Sequence, residues 1–135
     1  MVRSLLFALG LPAILVSCAE EAEPTLCERL PGTAYETVKG YGCGPLGPLC
    51  KLPLYFATDG MVHVSYGDYD VSGPYVCEGQ LATAMLSDAE IVFEFDAEGD
   101  HVIRHGEETE YVVVNCLGTG TDRPEACAWG ESFEP

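Results

Sequence analysis

Basic residues are scarce in this chain. Six lysines and arginines stand against 22 aspartates and glutamates, a formal net charge of −16 over 135 residues. Nucleic-acid binding rests on Lys and Arg neutralising phosphates, so that class is excluded. Electrostatic adhesion to anionic lipid is excluded for the same reason. Such a field attracts a cationic partner instead. There are three histidines and no C-x-x-C spacing, so a thiolate zinc site is not expected. No G-x-S-x-G elbow occurs, and among so many carboxylates no pair is singled out as acid and base. Neither catalysis nor a cofactor is expected. No apolar run reaches the about 20 residues of a membrane-spanning helix. No stretch carries a helical stripe longer than three turns, and no internal repeat is present.

The N-terminus has a pattern of its own. Arg3 precedes an almost wholly apolar segment from Ser4 to Val16, interrupted by Pro12. This is the build of a signal peptide. The segment closes on Leu15-Val16-Ser17-Cys18, which resembles the lipobox of bacterial lipoproteins. The resemblance implies that residues 1–17 are removed and that Cys18 becomes a lipidated first residue, a membrane anchor. Ala19, in place of the aspartate that favours inner-membrane retention in that family, points to the outer membrane. Residues 18–26, with Glu20, Glu21, Glu23 and Pro24, read as a lipidated start and acidic tether. Removal of the signal takes away Arg3 and no acid, which leaves five basic against 22 acidic side chains, or −17.

Of seven cysteines, six remain once Cys18 is lipidated: Cys27, Cys43, Cys50, Cys77, Cys116 and Cys127. An even number in an exported chain implies a disulfide framework, with many pairings open. Cys43 and Cys50 flank the turn-rich Gly44-Pro45-Leu46-Gly47-Pro48-Leu49. Cys116 and Cys127 flank a Gly/Thr/Asp/Pro segment. That leaves Cys27 with Cys77.

Residues 27–135 form a single domain that reads as β. Strands are expected at 33–38, 52–57, 62–66, 75–77, 80–86, 91–95, 101–104 and 110–116. Apolar positions alternate with polar ones through most of them. Thr58-Asp59-Gly60, Glu78-Gly79 and Asp96 to Asp100 are turn signals between them, and Ser72-Gly73-Pro74 reads as a further interruption. About eight short strands in sequence, each a hairpin from the next, give an antiparallel meander. Its fold class is all-β, a small up-and-down barrel or strongly curved sheet, stapled by disulfides. The expected core is Leu54, Phe56, Val62, Val64, Ile91, Phe93, Phe95, Val112 and Val114, with Tyr75 at its edge. The tail from Thr119 is polar and acidic, with Trp129 its one large apolar residue, and Cys127 pins it to the body.

Residues 54–79, L-Y-F-A-T-D-G-M-V-H-V-S-Y-G-D-Y-D-V-S-G-P-Y-V-C-E-G, resemble small lipocalin-like and META-type β lipoprotein domains, which implies a barrel. Eight strands can enclose one small apolar ligand, although a filled core is the commoner outcome at this size. Within that stretch, Ser72-Gly73-Pro74-Tyr75 resembles the S-G-x-x-Y loop of envelope inhibitors of c-type lysozyme. In that family the loop serine enters the cleft of a strongly basic enzyme. The resemblance makes Ser72, Gly73 and Tyr75 candidate partner-binding residues, although Tyr75 stands one residue early and the two lysines, Lys39 and Lys51, both precede the motif.

Other constellations have plainer readings. His101 and His105 with Glu107, Glu108 and Glu110 are expected as surface polar residues near a hairpin end, with no metal. Asp96, Glu98 and Asp100 around Gly99, and the pair Asp68 and Asp70, are expected as turn chemistry. The sequence thus describes a monomeric, non-catalytic envelope protein with a binding or structural role, its partner a small apolar ligand or a cationic extracellular protein such as a lysozyme. Metabolic palmitate labelling tests the anchor: the native chain is expected to take up label, and a Cys18→Ser variant that still labels would refute it.

Overall fold

The computed structural model describes residues 23–42, 49–116 and 124–134. Among the described residues, ten strands and two helices follow one another. A one-turn helix α1 (Leu26–Arg29) leads into β1 (Thr33–Thr37), and a small ribbon of β2 (Tyr41–Gly42) and β3 (Leu49–Cys50) follows. The meander continues through β4 (Pro53–Phe56), β5 (Met61–Ser65), β6 (Asp70–Glu78), β7 (Leu81–Leu86) and β8 (Ala89–Phe95). It ends with β9 (His101–Arg104) and β10 (Thr109–Val113), after which α2 (Glu125–Phe133) closes the described chain.

Eight of these strands close into an antiparallel barrel in the order β9-β10-β1-β4-β5-β6-β7-β8. Each pairs with its neighbours along the meander, and β10 returns to β1 through Tyr111↔Thr37, Val112↔Glu36 and Val113↔Tyr35. The up-and-down barrel expected from the strand rhythm is therefore the fold. Closure leaves the eight strands without a free edge.

The interior is filled by rings. Phe56 meets Tyr35, Tyr75 and Phe93 edge-on at centroid distances of 6.0, 5.0 and 5.6 Å, and Phe95 at a tilt at 5.7 Å. Ala82 and Ala84 of β7 are fully buried as the cross-strand partners of Phe93 and Tyr75; small residues between them make room for the large rings. Gly73 serves the same end. A Cβ at that position would overlap the Met85 carbonyl oxygen of β7, so only glycine allows β6 to pass this close.

Both mouths are plugged. At one, α1 starts with a reciprocal cap: Glu28 N–H donates to Thr25 Oγ1 and Thr25 N–H to Glu28 Oε1. It drops Leu26 and Leu30 into the core. The Cys27–Cys77 disulfide bolts it to β6, and Tyr35 donates from its hydroxyl to the Gly99 carbonyl at 2.7 Å. At the other mouth Arg104 is 5% exposed. Its guanidinium donates to Tyr111 Oη at 2.8 Å and to Glu107 Oε1 and Thr109 Oγ1, both at 3.0 Å. It lies 4.5 Å above the Tyr66 ring.

Three expectations are corrected. Ser72-Gly73-Pro74 does not break the chain: it lies within β6, a nine-residue strand. In β10 the inward residues are Tyr111 and Val113, not Val112; Val114 packs instead on a second cluster outside the barrel. The run Tyr-Val-Val-Val has no alternation, so register alone decides its faces. The third concerns the tail, which holds a nine-residue helix. Gly73→Ala is expected to lower unfolding stability by about 3 kcal/mol through overpacking. Gly79→Ala, at a turn with φ of 64° and open space around it, is expected to cost about 1 kcal/mol. Urea denaturation of the two variants checks the order.

Candidate functional site

The strands around β4 do not show the same burial as the rest. Pro53–Phe56 is buried at every position, and so is Val62–Ser65 of β5. Strands β6 and β7 instead alternate. The reason is α2, which lies on the outer wall over β1 and β4. There Ala34, Tyr55, Ala57 and Ala126 form a second core with Val114, Cys116, Trp129 and Phe133. The Cys116–Cys127 disulfide ties the helix to the segment after β10. Gly130 rests against the Tyr55 ring, where a Cβ would come within 2.9 Å of Cε1. After the helix, the Glu134 carboxylate accepts from the Thr58 amide at 3.0 Å, the Thr58 hydroxyl and the Tyr55 hydroxyl. These bonds hold the Glu134 carboxyl below its usual range. Burial, with the same carboxylate beside it, pushes the Tyr55 phenol well up.

His63 sits under the end of this helix. Its ring is stacked on Phe133 at 3.6 Å with the planes 2° apart, and lies 6.5 Å from Tyr55. Its residue exposure is 8%. Nδ1 is 2.6 Å from Ser72 Oγ on β6, its cross-strand partner, while Nε2 is buried without a hydrogen-bond partner among the described residues. The tautomer with the proton on Nδ1 donates to Ser72 and leaves only a lone pair on Nε2. The other tautomer buries an N–H without an acceptor, the rarer and costlier case. The Nδ1–H form is therefore favoured, and Ser72 is the acceptor.

The residues singled out from sequence fall as follows. Cys18 and the lipobox lie outside the described residues. The Cys27–Cys77 and Cys116–Cys127 bonds are as expected; Cys50 is disulfide-bonded, and its expected partner Cys43 lies outside the described residues. Ser72, Gly73 and Tyr75 belong to a strand, with Ser72 exposed, Gly73 buried and Tyr75 half-buried against the core. They do not form a projecting loop. Asp96 serves its turn, accepting at Oδ1 from the amides of Asp100 and His101. His105 Nε2 lies 2.8 Å from Glu94 Oε1 of β8, the strand next to β9. Among the described residues no group of three or more His, Cys, Asp or Glu is placed to hold a metal ion. The acids of the turns are split between the two mouths by the meander: Asp96, Glu98 and Asp100 follow β8, and Asp68, Glu107 and Glu108 lie at the opposite end.

Two features escaped the sequence reading. The apolar stripe of α2 (Ala126, Gly130, Phe133) spans under three turns and includes a glycine, so it was too short to stand out. The His63–Ser72 pair depends on the β5–β6 register, which the supposed break at Ser72 concealed. No family model matches the chain, and neither a curated protein nor a solved structure is significantly similar to it.

Desolvation holds the His63 imidazole below its ordinary value of 6.5, against the opposing pull of Asp59 and Glu134. Unfolding returns the ring to water, where it takes up a proton near that value. The unfolded state thus binds more protons below about pH 6.5, and stability falls as the pH drops through that point. His63→Phe keeps an aromatic ring against Phe133 and is expected to flatten this slope between about pH 7 and 5. Parallel slopes for the two proteins in denaturant titrations would sink the assignment.

Proposed function

We propose that this protein is a lipid-anchored, non-catalytic binding module of the bacterial cell envelope whose partner is a cationic protein. The observation that carries the reading is the filled and plugged barrel. Phe56 and its surrounding rings occupy the interior, and α1 and Arg104 occupy the mouths. The cavity beneath α1, lined by Leu26, Leu30, Tyr35 and Val113, measures about 110 Å³. Pockets for drug-sized ligands run from about 300 Å³ upward. A small apolar ligand inside would have to displace the aromatic cluster, so recognition falls to the outer surface.

That surface carries the charge. The mature chain has five basic side chains, and two of them are engaged within the fold. Arg104 is buried in one mouth, and Arg29 donates to the Glu98 carbonyl at 3.1 Å. The acids of the turns gather at the mouths and face solvent. A basic protein surface is the complement of such a molecule, with steering that depends on ionic strength. The lipobox at Leu15-Val16-Ser17-Cys18 supplies the anchor in this reading and places the module at the outer membrane, where an extracellular protein such as a lysozyme is met. The lysozyme-inhibitor version singles out Ser72, which is exposed on β6.

The immobilised mature protein is expected to retain a basic lysozyme at low salt and an acidic protein of like size not at all. Retention is expected to weaken by about tenfold or more as ionic strength rises from about 0.05 to 0.5 M. Absence of retention at every salt concentration would refute the cationic partner. Salt-resistant retention that Ser72→Arg abolishes would favour the inhibitor version.

A further inference from the structure

The barrel has two unlike outer walls. Over β1 and β4 the chain covers itself with α2. On the far side of the barrel, β6, β7 and β8 turn an apolar strip to solvent. Val76 is 72% exposed, Met85 51% and Leu81 44%. The register puts Val76, Thr83 and Val92 in one row across the three strands. On β7, Leu81 and Met85 stand two residues to either side of Thr83 and share its outward face. The inward positions between them, Ala82 and Ala84, are fully buried in the core. Single exposed aliphatic residues are ordinary on a protein surface; a contiguous set on one wall marks an interaction site.

An acidic frame surrounds the strip. Glu94 pairs opposite Leu81 and Glu90 opposite Met85, while Glu78 is the other cross-strand partner of Leu81. All three are exposed. An apolar centre within a polar rim is the anatomy of a protein–protein interface. The frame also selects the occupant. A second copy of this chain would bring carboxylates against carboxylates, at a net charge of −16 per chain, and like-charge juxtaposition is costly. An anionic lipid surface would be repelled in the same way. A protein face with aliphatic side chains ringed by Lys and Arg satisfies both the strip and the frame.

We propose that the outer wall of β6, β7 and β8, centred on Thr83, is the face that docks the cationic partner. This assignment rests on the function proposed above and adds the surface that performs it. Charge at the mouths speeds encounter, whereas the apolar strip sets how long the complex lasts.

A photo-cross-linking residue at position 76 or 83 on the wall, and at position 68 or 107 at a mouth, tests the assignment in cells producing the full chain. Adducts are identified by mass spectrometry. The wall positions are expected to yield adducts with a protein of net positive charge. Leu81→Glu and Met85→Glu, introduced with the cross-linker at position 76, are expected to cut that yield at least about tenfold even though each adds negative charge. Both side chains face solvent, and unchanged thermal melting of each variant is the control. An undiminished or increased yield in these variants would mean charge alone and overturn the wall assignment. So would adducts from the wall with lipid or with a second copy. Basic-protein adducts from the mouth positions only would overturn the wall and leave the cationic partner standing. Their absence from all four positions would overturn both.

Discussion

The packing of four rings around Phe56 is the interaction on which the rest of this structure depends. Tyr35, Tyr75, Phe93 and Phe95 come from β1, β6 and β8, strands spread around the barrel, and meet one side chain from β4. Edge-on contacts of this kind contribute about 0.5–1.5 kcal/mol each beyond the area they bury. More important is their geometry. A ring in contact with three other walls fixes the barrel radius, and the opposite wall must then be thin. Ala82 and Ala84 of β7 are that thin wall, next to Phe93 and Tyr75 in the sheet and across the barrel from Phe56. The aromatic centre and the small residues facing it are two halves of one constraint, and a substitution in either is felt by the other.

The proposed function builds on that constraint. Among the described residues the middle of the barrel is occupied by rings, and Leu26, Leu30 and Arg104 are buried towards its mouths. What distinguishes it is carried outside, on two walls treated in opposite ways. One is covered by α2, down to the stacking of Phe133 on His63. The other is left open, with aliphatic side chains framed by glutamates. The scarcity of lysine and arginine, visible in the composition, acts on the same surface.

Much of the fold was legible in the sequence because alternation is a strong signal where one face of a strand meets solvent. Phe93 and Phe95 against Glu94 declare their faces before any partner is known, and Val62 and Val64 alternate with the polar His63 and Ser65 even though α2 later covers that outer face. The turn signals at Asp59-Gly60 and Glu78-Gly79 give the hairpins, and with them the meander. The signal fails where both faces are apolar or where glycine stands in for a side chain. Tyr111 to Val114 is uniformly apolar, so its inward residues follow from pairing with β1. Gly73 beside Pro74 has the local chemistry of a turn, yet here glycine serves close approach between strands. The candidate site suffered most from this. His63 and Ser72 meet only when β6 is continuous, and Phe133 stacks on His63 only when a short C-terminal helix forms.

The pairing of β10 with β1 joins the last strand of the meander to the first. Tyr35 and Val113 are register partners, yet nearly the whole domain lies between them in sequence. A chain made from its N-terminus presents β1 long before β10 exists, and until β10 arrives both edges are open to the wrong strand. Contacts of such long range make closure a slow step. The Cys27–Cys77 bond bears on this interval. It spans 50 residues and needs nothing beyond β6 to form, so oxidation can hold α1 and β1 beside the growing sheet while the closing strand is still to come. The disulfide at the mouth is in this sense a kinetic device: it keeps the first edge in place for a partner that is made last.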